Sequence, residues 1–181
     1  MGKVSRIVFV FIAVVLLIFY YIVGGFPIVI ENPDLLNDYE KRIICSEISV
    51  DSVVNPLIDL DFSLGDNVVF IVCEFGDCEY NAYPEGISKR RVLYCKNNEV
   101  LQKLRDNFNL RVTGCDISTV TTRLLCYKDK ELVYCDSFNI ETHSMGVQSP
   151  IFGYAEFMDK KEMVNILGLF KPYKGMFLYM K

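Results

Sequence analysis

The stretch Thr121–Cys135, TTRLLCYKDKELVYC, decides how the sheet of this protein is laid out. Two strand-like runs flank the polar tetrapeptide Lys128-Asp129-Lys130-Glu131, the pattern of a β-hairpin. Cys126 and Cys135 oppose each other if the hairpin is centred between Lys130 and Glu131. If it is centred on Asp129-Lys130, Cys126 faces Val133 and the bridge fails, because a one-residue slip changes every cross-strand partner. A second pair stands in Asn67–Tyr83, NVVFIVCEFGDCEYNAY. There an apolar strand runs into a Gly-Asp turn, and Cys73 and Cys78 face each other at the base of a four-residue loop. Cys73, Cys78, Cys126 and Cys135 are therefore the disulfide candidates. Seven cysteines occur in all, an odd number, so at least one thiol is left over or pairs between molecules.

Working outward, residues 57–62 (LIDLDF) alternate like a half-buried strand, and 68–73 carry the strongest strand signal; together they read as a hairpin. Residues 78–83 continue the meander, and 91–95 are a further strand. Asn97 or Asn98 caps a helix through Phe108, with Val100, Leu101, Leu104 and Phe108 on one stripe and Asn109 at its end. Residues 110–113 are a strand, 140–150 a loop and 151–157 a strand. Asp159 and Glu162 form a variant capping box that opens a helix through about Phe170. A turn at 172–175 and a closing strand at 176–180 follow, and a short helix is expected over 34–45. Hairpins interspersed with two or three helices read as an α+β domain with a mainly antiparallel sheet.

Ahead of this domain, Ile7–Val23 holds 17 residues without a charge, and the charge-free run continues to Ile30. The expectation is a transmembrane signal anchor over 7–26, preceded by a cytoplasmic N-terminus (1–6) and followed by a linker (27–34) and an extracytoplasmic domain (35–181). Lys3 and Arg6 before the run, with no further cation until Lys41, set that orientation. The alternative is a cleaved signal peptide, for which Val23-Gly24-Gly25 is a weak cut site. The expected location is a single-pass membrane protein with its body outside the cytoplasm, in a bacterial periplasm, where cysteines pair.

Composition narrows the function. Two of 19 basic residues precede the apolar run and all 23 acids follow it, which leaves 17 cations against 23 acids beyond it. A net-acidic domain is a poor nucleic-acid binder. The single histidine, His143, lies in a loop with no nucleophile motif around it. Asp59, Asp61, Ser63 and Gly65 begin like a calcium loop, but Leu64 and Phe70 stand where glycine and glutamate are needed. No catalytic, cofactor or metal residue is assigned. The basic run Lys89, Arg90 and Arg91 and the acids Glu74, Asp77 and Glu79 are the candidate partner contacts, the acids suiting a basic partner. The reading is a membrane-anchored, non-enzymatic protein-binding module, an accessory subunit or an inhibitor or immunity-type protein. The alternatives are an envelope enzyme using His143 with a cysteine or serine, and a viral membrane protein of entry or assembly.

Overall fold

A computed structural model describes residues 3–20, 27–31, 48–74, 79–114 and 120–180. The central hairpin joins β6 (Thr122–Lys128) to β7 (Glu131–Asn139). Asp129 and Lys130 both take positive φ, 51° and 72°, as a two-residue turn of the right twist requires. Lys128 pairs with Glu131 and Tyr127 with Leu132; a bulge then leaves Val133 unpaired, and Cys126 faces Tyr134. Cys126 is buried on one face of the sheet and Cys135 on the other. The expected Cys126–Cys135 bridge is thus overturned by register and by face, and no disulfide occurs among the described residues. Cys78 lies outside them.

The hairpin sits mid-sheet. The remaining strands are β2 (Val53–Val54), β3 (Asn67–Cys73), β4 (Val92–Cys95), β5 (Leu110–Val112), β8 (Gly146–Ser149), β9 (Gly153–Phe157) and β10 (Lys171–Pro172). They form a nine-stranded antiparallel sheet in the order β10-β4-β3-β6-β7-β8-β9-β5-β2. Strands β8 and β9 approach closely at Gly146, where a Cβ would run into the Ala155 carbonyl oxygen.

Two helices cover one face. In α2 (Asn98–Asn107), Asn97 is the cap, its side chain accepting from the N–H groups of Glu99 and Val100; Leu101 and Leu104 are buried. In α3 (Lys160–Leu167), Asp159 accepts from Glu162 N–H; Met163, Ile166 and Leu167 are buried. They pack with Val69, Ile71, Leu93, Leu124 and Phe138. Each side chain buried this fully contributes about 1.5–3 kcal/mol. The other face carries Val72, Val92, Leu125, Tyr127, Leu132 and Cys135. Its cover is a two-stranded parallel ribbon, β1 (Ile28–Glu31) with β11 (Phe177–Met180), whose Leu178 and Met180 point inward.

Several expectations are corrected. Residues 57–62 form no strand but a turn that runs into irregular chain: Asn55 Oδ1 accepts from Leu57 N–H and Leu60 N–H donates to Leu57 O, while Leu57 and Phe62 are fully buried. Turn chemistry at Asn55-Pro56 overrides the alternation. β3 therefore pairs with β4 and β6. Residues 79–82 form a 3₁₀ turn. The supposed 140–150 loop holds β8, and the linker holds β1. The helix expected over 34–45 lies outside the described residues.

The transmembrane anchor is overturned as well. Helix α1 (Lys3–Phe19) has 17 residues, about 26 Å at 1.5 Å per residue against a hydrocarbon core of roughly 30 Å. No helix among the described residues is long and apolar enough to cross a membrane. The apolar run is divided between a helix and, from Ile28, a strand. The single-pass topology and the periplasmic placement that rested on the anchor fall with it. Over residues 5–19 of α1 the side chains are exposed except for the half-buried Ala13, with Ile7 and Phe11 at 69% each.

Tryptic digestion of denatured, alkylated, non-reduced protein is expected to release residues 124–128 and 131–160 as separate peptides, each with its cysteine alkylated. Recovery of the two peptides linked to each other would contradict the bulged register.

Candidate binding groove

The ribbon does not seal against the sheet along its whole length. A groove of about 230 Å³ remains, lined by Asp66, Val68 and Phe70 at the start of β3, Tyr127 and Lys130 at the β6–β7 turn, and Leu178, Tyr179 and Met180 of β11. Its aromatic wall follows from strand alternation. Phe70 points to the ribbon side and meets Tyr127 edge-on at 6.1 Å, Tyr173 at 6.1 Å and Tyr94 at 6.3 Å between ring centroids.

The mouth is held by two interlocked turns. Asp129 Oδ1 accepts from Asp66 N–H at 3.0 Å, and Asp129 N–H donates to Asp66 O at 2.9 Å. Gly65 has φ +93°, and a Cβ there would meet the Asp129 carboxylate at 3.0 Å. Buried Asn67 donates from Nδ2 to Phe62 O, Leu64 O and Asn98 Oδ1, tying the loop to the first turn of α2. Lys128 Nζ donates to Asp61 O at 2.8 Å. Hydrogen bonds from Ser63, side chain and backbone, hold the exposed Asp61 carboxyl below its usual range, with Lys128 and Arg105 adding to the effect.

A second hollow, about 390 Å³, lies beside β4 and β10 and is lined by Tyr94, Cys95, Lys96, Asn97, Val100, Leu169 and Lys171. Burial pushes the Cys95 thiol up, against a backbone hydrogen bond at Asn97 and the charge of Lys171, so the nucleophilic thiolate is disfavoured. No protein family, curated protein or solved structure matches this chain.

The residues singled out from sequence lie away from the groove. Lys89 and Arg90 are exposed. Arg91 is buried: its Nε donates to Cys73 O and its Nη1 to Pro27 O, both at 2.9 Å. It clips the start of β1 to the end of β3. Glu74 is exposed beside that end and Glu79 opens the 3₁₀ turn; Asp77 lies outside the described residues. The structure thus brings Arg91 to Cys73, at the opposite end of β3 from the groove mouth at Asp66, about 23 Å away at 3.3 Å per residue. His143 is exposed in a bend, and its carbonyl accepts from Lys160 Nζ at 3.1 Å. The neighbouring Ser144 Oγ accepts from Asn139 Nδ2 and donates to Glu141 Oε2. No His, Cys, Asp and Glu cluster able to hold a metal occurs among the described residues. Sequence reading passed over Val68, Phe70 and Tyr127 as groove residues. The available signal was that 68–73 is apolar without alternation, as in a strand covered on both faces.

One buried titratable group stands on the helix-covered face. Asp136 on β7 is pushed up to about 7 by burial, against hydrogen bonds from Tyr134 and Ser149. Burial is also the largest cause of the upward shift of the Cys126 thiol, with Cys135 and Asp136 adding to it. The unfolded chain releases the Asp136 proton near pH 4, while the folded chain keeps it to about pH 7. The folded state binds more protons over that window, so stability falls as pH rises through it and levels off above. The loss is on the order of 4 kcal/mol, at 1.36 kcal/mol per pKa unit. Asp136→Asn is expected to remove this slope between pH 4 and 7, read from urea midpoints at each pH. An unchanged slope would place the carboxyl in a solvated setting.

Proposed function

We propose that this chain is a binding module for another protein and performs no chemistry itself, and that the groove beside β11 is its contact surface. The groove carries the reading. It is apolar and aromatic along its length and polar at its mouth, where Asp66 and Lys130 stand, the makeup of a site that anchors one apolar side chain and orients its surroundings. An engineered apolar cavity of about 150 Å³ holds a benzene molecule, so 230 Å³ has room for a leucine, methionine or phenylalanine side chain. The buried, proton-holding thiols of Cys95 and Cys126 fit a module without a nucleophile.

The test is a peptide-display selection on the full chain, followed by affinity measurements on Phe70→Ala. Enriched ligands are expected to lose at least about tenfold in affinity, since removing an aromatic anchor wall costs more than 1 kcal/mol. The variant's circular dichroism spectrum should match the parent's. Ligands that bind Phe70→Ala as well as the parent would move the contact surface elsewhere.

A further inference from the structure

We propose that β11 accepts an extended segment of a partner protein as an additional strand, with an apolar side chain of that segment in the groove and a basic residue next to it. This rests on the reading of the groove as a protein-binding surface and specifies the mode and the partner's chemistry.

The backbone makes the first argument. In the ribbon, Ile28 N–H donates to Met176 O at 2.8 Å, and Ile28 is in register with Phe177. Backbone groups in a parallel pair alternate in direction along each strand. Residues 176, 178 and 180 therefore turn their backbone groups to β1, and Phe177 and Tyr179 turn theirs away. Phe177 O is taken by the Tyr173 hydroxyl at 2.9 Å. The N–H of Phe177 and both backbone groups of Tyr179 find no partner among the described residues.

The contrast with the edges of the large sheet makes the second. Open edges are normally blunted by shortness, proline or lysine. The large sheet follows this rule: it ends in the two-residue strands Lys171–Pro172 and Val53–Val54. β11 reads FLYM, with neither proline nor lysine, and Tyr179 is 59% exposed. Tyr173, reaching from the β4 side, marks that edge as the one above Phe70. A strand laid there places its inward side chains over the groove, as in strand-addition recognition.

Charge makes the third. At the mouth stand the exposed carboxylates of Asp66 and of Asp129, which accepts from Asp66 N–H, against Lys130. Lys128 reaches the other way, to Asp61 O beside α2, and is not part of the mouth. The surplus is negative and selects a basic segment.

The probe is the capped, dye-labelled peptide Lys-Thr-Leu-Thr-Lys, titrated against the full chain by fluorescence anisotropy. Tyr179→Pro removes the outward N–H and leaves the ladder to β1 intact; Tyr179→Ala keeps the N–H and controls for the ring. The proline variant is expected to bind at least about tenfold more weakly than the alanine variant, through a lost hydrogen bond and a blocked approach. Both should melt with matching circular dichroism transitions. The peptide with glutamates in place of lysines is expected to bind more weakly than its parent, and equal binding would overturn the charge assignment. Equal affinity of the proline and alanine variants would overturn strand addition. In that case a loss in Phe70→Ala leaves the groove reading standing, and no loss there removes it too. Failure of the unmodified chain to bind the peptide would overturn the proposal. So would a dimer of the chain that Tyr179→Pro dissociates, which would assign the edge to a second copy.

Discussion

The structure depends on a sheet whose central strands are apolar on both faces. In β3, Val69 and Ile71 point one way and Val68, Phe70 and Val72 the other. In β6, Leu124 and Cys126 oppose Leu125 and Tyr127 in the same manner. Such strands are stable only between two covers. Helices α2 and α3 supply the first and the β1–β11 ribbon the second. A ribbon is narrower than a pair of helices, so the second cover leaves an open margin. The groove is that margin.

The mouth of the groove is stiff for a different reason. It is made of turns, which ordinarily move, yet each turn is bonded to the other through Asp129 and Asp66 and to the helix layer through Asn67. A site on such turns costs less ordering on binding than one on free loops. The buried carboxyl of Asp136 works in the other direction, lowering stability as the solution becomes neutral.

Local signals were legible. Both helix caps, Asn97 and Asp159, were readable because capping is a one-residue chemistry with a fixed offset to the N–H groups it serves. β3, β4, β5, β9 and β11 were readable from apolar runs bounded by turn residues. The hairpin was readable as a hairpin, but not its register: the bulge at Val133 is decided by how Tyr134 and Cys135 pack on opposite faces. The strand assigned to 57–62 failed where Asn55 competed with the ladder for backbone bonds. The apolar start was misread because lack of charge is a property of composition, whereas crossing a bilayer needs unbroken helix, and a strand begins at Ile28. The groove was the least legible. It joins residues of β3, the β6–β7 turn and β11, and no spacing rule links segments that far apart.

The pairing of β1 with β11 joins segments separated by nearly the whole chain. On the ribosome, β11 emerges after every other described strand. Until then Leu125, Tyr127 and Cys135 have no ribbon above them, and the nascent sheet shows water a bare hydrophobic side. Closure at such sequence separation is slow, and exposed apolar surface of this kind invites misassembly. The strand made after all the other described strands is thus also the one that covers their bare side.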